Sequence, residues 1–175
     1  MRVAVTGTPG TGKTSAVEAL EDETGFGESG LEVVHLNDLI RDEDLWDERD
    51  EARDSLVADL DAVAERLADR EELLVESHLA HHLDADRVVV LRCHPEELER
   101  RLTERGESDA KAAENAESEA LDVILSETVN RHGVENVYEV ETTDRSPDEV
   151  AAAIAAVVAG DREPSAGTVS YIDYL

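Results

Sequence analysis

Near the start of the chain, Gly7-Thr8-Pro9-Gly10-Thr11-Gly12-Lys13-Thr14 fits the phosphate-binding pattern G-x-x-x-x-G-K-[ST] at every defined position. The glycines permit a tight turn in which successive backbone N–H groups converge on phosphate oxygens at a helix N-terminus. Lys13 then supplies a point charge for the β- and γ-phosphates, and the Thr14 hydroxyl can ligate the Mg²⁺ that bridges them. Ser15 is a further phosphate donor. The competing reading is a glycine-rich turn that binds nothing. Context argues against it, because Arg2-Val3-Ala4-Val5-Thr6 reads as a short buried strand and Ser15 to Leu20 has helical composition.

Other candidate groups recur at places suited to such a loop. Glu76-Ser77-His78 closes a strand expected from Glu71, and ligands of open α/β sheets bind at that edge. Glu76 can hold Mg²⁺ directly or through water, while His78 can touch a γ-phosphate or position a water. His78, His81 and His82, with Cys93 and His94 downstream, offer zinc-ligand chemistry, but their spacing matches no familiar zinc pattern. His81 and His82 read as ordinary structural residues.

Arg101 and Arg105 lie four residues apart on a helix opened by Pro95 and stopped by Gly106, an arrangement suited to phosphate oxygens. Their alternative is local pairing with Glu97 or Glu104. Asn37 reads as the N-cap of a short helix with Asp38 in its first turn. Arg41 on that helix can face a second phosphate group.

The elements that must carry these groups alternate along the chain. Strands are expected at 2–6, 31–36, 71–76, 86–92 and 136–140. Helices are expected after the loop, from Asn37, from about Glu51 to Arg70, from Pro95, from Ser108 to about Arg131, and from Asp148 to Ala159. In the helix from about Glu51 to Arg70, Leu56, Leu60, Val63, Ala64 and Leu67 mark the packing face. Ser146 caps the last helix, with Pro147 in its first turn. The segment from Gly160 to Leu175 holds Tyr171 and Tyr174 and docks either on the body or on a partner.

Composition sets the outer bounds. A chain of 175 residues with 41% hydrophobic residues suits one globular α/β domain. A net charge of -28 with only two lysines resembles the surfaces of proteins from salt-loving archaea; the alternative is an acidic face for a basic partner. With 44 acidic residues and no basic patch, direct binding of nucleic acid is not expected. Cys93 is the single cysteine, which excludes an internal disulfide, and the chain shows no signal segment, so the expected compartment is the cytoplasm. The most apolar run, Val150 to Ala159, is too short to span a bilayer, so no membrane role is expected.

The order of phosphate loop, insert with Arg41, Glu76-Ser77-His78 and Arg101 through Gly106 resembles the nucleoside monophosphate kinases. Within them, Leu36 to Arg41, Val90 to Arg92, Arg101 to Gly106 and Glu114 to Glu119 are similar to the small adenylate-kinase-like ATPases tied to small-ribosomal-subunit maturation, in archaeal form. The resemblance spans nearly Met1 to Ala159. It implies a P-loop NTPase fold with a five-stranded parallel sheet in the order 2-3-1-4-5, flanked by helices. It divides the chain into a kinase-like domain at 1–159, with an acceptor-binding insert at about 30–53 and a short lid at about 104–114, and a tail at 160–175.

The activity implied is ATP-dependent phosphorylation of a nucleoside monophosphate, AMP first (ATP + AMP = 2 ADP), accompanied by ATP hydrolysis. Gly10, Gly12, Lys13, Thr14 and Ser15 would bind the ATP phosphates, Arg105 would reach the nucleotide from the lid, and Arg145 would lie near the adenine. Arg41 and Asp38 would serve the acceptor, Lys13, His78, Arg101 and Arg105 the chemistry, and Thr14 and Glu76 the Mg²⁺. The family's strand-end motif is Asp-x-His, so Glu76 moves the carboxylate outward by one methylene. The partner implied is a basic small-subunit ribosomal protein, and the rival reading is an assembly switch whose kinase activity is incidental.

Overall fold

The computed structural model describes residues 1–52 and 55–175. Among these residues seven strands form: β1 (Arg2–Thr6), β2 (Glu32–His35), β3 (Trp46–Asp50), β4 (Ser55–Ala58), β5 (Leu73–Glu76), β6 (Arg87–Arg92) and β7 (Val137–Glu141). Five of them make a parallel sheet in the order β2-β5-β1-β6-β7, and β3 and β4 make a separate antiparallel hairpin. With the hairpin set aside, the sheet strands counted along the chain run 2-3-1-4-5. The helices are α1 (Lys13–Asp22), α2 (Leu36–Asp42), α3 (Leu60–Leu67), α4 (Pro95–Glu104), α5 (Asp109–Ala120), α6 (Val123–His132) and α7 (Pro147–Ala159).

The central strand β1 explains the layering. Its side chains alternate between faces, so Val3 and Val5 join Val17, Leu20, Ile154 and Val157 of α1 and α7, while Ala4 joins Val63, Leu67 and Leu125 on the other side. Covered on both faces, the inner strands are apolar almost without interruption, as Val88-Val89-Val90-Leu91 shows. Each fully buried Leu, Ile or Val of these layers contributes about 1.5–3 kcal/mol relative to exposure. Helix α7 is fixed at both ends: Ser146 and Glu149 form a reciprocal capping box, Pro147 follows, and Gly160 ends the helix in the left-handed conformation.

Three expected helices differ from the structure. The helix expected over Glu51 to Arg70 is replaced by β4 and the eight-residue α3. Asp59 sets the new start, because its carboxylate accepts the Ala62 N–H, and Leu56 lies on a strand paired with Arg49. The helix expected from Ser108 to Arg131 breaks at Asp122, which adopts φ 55° and turns its carboxylate to Arg92. A buried guanidinium that needs acidic partners outweighs the helical propensity of that stretch. Asn37 lies inside α2 rather than capping it, and its Oδ1 accepts from Ser77 Oγ at 2.7 Å. The end expected for the insert, residue 53, lies outside the described residues.

The tail docks on the body. Tyr171 is buried with its ring 5.5 Å from the Arg92 guanidinium carbon, and the Thr168 N–H donates to Glu139 Oε2 at 2.7 Å. Among the described residues no helix is long and apolar enough to cross a membrane.

Candidate functional site

The loop between β1 and α1 is built on its backbone. A Cβ at Gly7 would sit 2.6 Å from the Leu91 carbonyl oxygen, so only glycine fits there. Gly12, at φ 90°, starts α1 without any side-chain cap, leaving the first N–H groups of the helix to a ligand in the loop. Thr142 Oγ1 donates to the Thr11 carbonyl at 2.9 Å and so ties the loop to the end of β7.

Lys13 is 7% exposed and folds back over the loop, donating to the carbonyls of Gly7 at 2.9 Å and Thr8 at 3.1 Å. Burial lowers its pKa to about 8, partly offset by the charges of Glu76 and Glu119. At neutral pH it is an ammonium ion held by neutral carbonyls, ready for a stronger, anionic partner.

The parallel register sets His35 opposite Glu76 at the carboxyl edge of the sheet. Glu76 is 4% exposed and uses both oxygens: Oε1 accepts from Thr14 Oγ1 at 3.1 Å, and Oε2 meets His35 Nδ1 at 2.8 Å. His35 Nε2 lies 3.2 Å from Glu21 Oε2. Burial alone would lower the His35 pKa, but the hydrogen bonds and charges of Glu76 and Glu21 outweigh it and raise it. The hydroxyl of Thr14 and the carboxylate of Glu76 are hard oxygen donors placed side by side, which fits Mg²⁺ and survives the longer side chain at position 76.

His78 lies across the same cleft of about 390 Å³, which Lys13, Thr14, Ser15, Asn37, Glu76 and Arg105 also line. Burial, then the charge of Lys13, pushes its pKa down to about 4, so its imidazole is neutral at pH 7. A second cleft of about 360 Å³ shares Gly10, Gly12, Ser15 and Arg105 with the first and runs over Pro147 and Val150 to Arg145. Arg105 is exposed at the mouth of both.

Two expected groups stand differently. Arg101 follows its local alternative: Nε donates to Glu97 Oε1 at 3.0 Å, and Nη2 donates to the carbonyls of Thr142 and Thr143. Its Nη1 also reaches the Gly10 carbonyl at 3.5 Å, so it braces the loop from outside. Arg41 is paired with Asp38, both exposed, and lines a separate depression with Trp46, Arg49 and Leu56 of the hairpin. Asn37, one turn earlier on α2, is the residue of that helix that reaches the loop cleft.

Sequence reasoning missed His35, whose pairing appears only in the sheet register, and the acidic residues behind the loop. Thr8 Oγ1 donates to Glu119 Oε2 at 2.6 Å, and Glu119 Oε1 accepts from Arg92 Nε at 2.8 Å. Arg92, 1% exposed, also reaches Glu139 and Asp122. Burial would lower its pKa, but the carboxylates around it raise it above the ordinary value. Cys93 packs with Leu98, Leu102 and Ala112, its thiol pushed up to about 11 by burial, and His94 caps α4. A larger cavity of about 530 Å³ opens at the other end of the strands, around Arg2, Leu67, Leu83 and Asp86, and contains none of these groups.

Comparison with known proteins bears on the family and the fold. A family profile described as "AAA domain" matches residues 3–122. The chain is 62% identical, over the full length of both, to a "Putative adenylate kinase" of Natronomonas pharaonis. It is 40% identical over 168 residues to a protein of the same description from Methanosarcina acetivorans, covering 90% of this chain and 86% of that one. In fold it is similar to a shikimate kinase of Bacteroides thetaiotaomicron, with a TM-score of 0.57 at 19% identity, covering 91% of this chain and 98% of the other.

Proposed function

This chain belongs to the AAA-domain family and to one family with those archaeal proteins, and from that premise we propose that it is an ATP-dependent nucleoside monophosphate kinase acting first on AMP. The observation that carries the reading is the meeting of Lys13, Thr14, Glu76 and His78 in one cleft at the carboxyl edge of the sheet, with Gly10, Gly12 and Ser15 between it and a second cleft. That is one binding surface for a chain of phosphates joined to a place for a base.

In this reading the loop N–H groups, Lys13 and Ser15 bind the ATP phosphates, and Arg145 lies beside the adenine. Lys13 leaves the Gly7 and Thr8 carbonyls for the β- and γ-phosphates, whose negative charge is the stronger partner. Thr14 and Glu76 would hold Mg²⁺, which would neutralise phosphate charge. The insert at about 30–53 carries the acceptor, with Arg41 on its phosphate and Asp38 orienting Arg41. An acceptor phosphate oxygen attacks the γ-phosphorus in line, and the bond from that phosphorus to the β-phosphate bridging oxygen breaks. Arg105 follows the transferring group from the lid at about 104–114, and Arg101 holds the loop in place for it. His78, neutral at pH 7, accepts a hydrogen bond near the γ-phosphate.

A second activity, ATP hydrolysis, is favoured by the brevity of the connection from α4 to α5. Only residues 105–108 separate the two helices, and Arg105 at their mouth is exposed, so water has access. The resemblance to assembly ATPases extends this to a switch acting on a basic small-subunit ribosomal protein, for which the charge of -28 supplies a complementary surface. One experiment separates the readings: ADP formation at molar KCl with and without AMP. The kinase reading requires AMP to multiply turnover and two ADP per ATP consumed. Unchanged turnover with one ADP per ATP would leave hydrolysis as the activity.

A further inference from the structure

We propose that His81, His82 and Glu127 form a binding site for a divalent transition-metal ion of the zinc and cobalt class, apart from the phosphate loop. The 3-10 turn Ala80–His82 presents both imidazoles to α6, where Glu127 meets them. His81 Nε2 lies 2.8 Å and His82 Nε2 4.0 Å from the same oxygen, Glu127 Oε2, and the three donor atoms lie within 4.8 Å of one another. Donors about 2.0–2.1 Å from a tetrahedral ion stand roughly 3.3 Å apart, so small side-chain adjustments close the site.

The surroundings favour an ion over a simple hydrogen-bonded pair. His81 is 2% exposed, and its Nδ1 sits 2.9 Å from the buried hydroxyl of Thr6. That hydroxyl can accept a hydrogen bond from Nδ1–H, which orients the ring and leaves the Nε2 lone pair for an ion, the arrangement usual behind a ligating histidine. The His82 ring packs on that of His81, with centroids 4.1 Å apart, and this brings both Nε2 atoms towards one carboxylate oxygen, where an ion would engage all three groups.

Two nitrogens with one carboxylate select a borderline ion rather than Mg²⁺, which prefers oxygen. The half-exposed Glu127 and His82 leave room for water as a fourth ligand. An ion here fastens α6 to the turn that follows His78. Through His81 and Thr6 it also fastens the residue immediately before Gly7.

The test is a Co²⁺ titration of the full chain in molar KCl with excess Mg²⁺, which occupies oxygen-only sites on the acidic surface. One equivalent should give a visible absorption band of low-coordinate cobalt, displaced by Zn²⁺. His82→Ala and Glu127→Gln, both at exposed or half-exposed side chains, should weaken binding at least about 100-fold and remove the band, while Thr14→Ala retains it. Absence of a saturable band, or a band unchanged in both site variants, overturns the proposal. So does a band lost in Thr14→Ala, since the ion would then sit at the phosphate loop.

Discussion

Thr8, inside the phosphate loop, donates to Glu119 on α5 at 2.6 Å, and through Glu119 the loop is joined to a buried arginine that also holds the C-terminal segment. The chain of contacts runs from Thr8 to Glu119, Arg92, Glu139 and the Thr168 N–H. No position along it is exposed to solvent at its ionic centre: Arg92, Glu119 and Glu139 are all buried. Buried ions of this kind cost desolvation and persist only when every partner is present.

Glu119→Gln tests that dependence. The amide keeps the shape and one acceptor but removes a charge from Arg92, which retains Glu139 and Asp122. The expected loss is about 1–3 kcal/mol of stability, measured by thermal unfolding in molar KCl, together with weaker ATP binding because Thr8 loses a charged acceptor. Unaltered ATP affinity in a destabilised protein would confine Glu119 to the core.

Tyr171→Phe and Tyr171→Ala should act in opposite ways. Among the described residues the buried Tyr171 hydroxyl has no hydrogen-bond partner, and the neighbouring Thr143 hydroxyl already serves His94 N–H and Glu141. Removing the hydroxyl therefore costs nothing or stabilises, whereas removing the ring deletes packing and the contact with Arg92, worth about 3–5 kcal/mol in a core. Denaturant unfolding of both variants decides it, and equal losses would mean that the hydroxyl is bonded.

The sheet and the loop were legible because both are local signals: apolar runs of strand length, and glycines at fixed offsets before Lys13. The breaks at Asp59 and Asp122 were not, since each is decided by one carboxylate choosing a distant or capping partner over helical continuity. His35, Glu119 and Glu139 were hidden for the same reason. Their partners lie across the sheet or behind it, and an acidic residue in a chain with 44 of them carries no signal of burial.

His78 predicts a pH dependence of stability. Its folded pKa of about 4 lies below the ordinary 6.5, so between these values the unfolded chain binds the proton and the folded one does not. The contribution of His78 to stability is constant above pH 6.5 and becomes less favourable as the pH drops towards 4. His78→Gln should flatten the wild-type slope in that window, read as the difference between two sets of unfolding midpoints. The same variant should slow turnover with little change in ATP affinity. Parallel pH profiles would mean that His78 titrates normally.

Lys13 predicts proton uptake on ATP binding. With a pKa of about 8 in the free protein, much of it is neutral at pH 8.5, and arriving phosphates restore the charge. Calorimetry at pH 8.5 in two buffers of different ionisation enthalpy should show net uptake of a proton that disappears at pH 6.5. The depressed pKa also costs stability below pH 8, a cost that fades as the pH rises towards 10.5. Lys13→Ala should abolish turnover in a folded protein, and equal proton uptake at both pH values would place the linkage elsewhere.

On the proposed function, Arg41 serves the acceptor and not the donor nucleotide. It lines a depression with Trp46 and Leu56 and does not line the loop cleft, so the proposed function lets ATP bind without it and requires it for an acceptor phosphate placed by the insert. Its present partner, Asp38, is exposed, and such a pair holds its arginine weakly enough to yield to a phosphate. Removing a charge-assisted contact of this kind costs about 1.5–3 kcal/mol, or roughly 10- to 100-fold in affinity. Arg41→Ala should therefore raise the KM for AMP by that factor and leave the KM for ATP within about twofold, with hydrolysis in the absence of AMP unchanged. Equal increases for both substrates would remove Arg41 from the acceptor side and return the hairpin to a structural role.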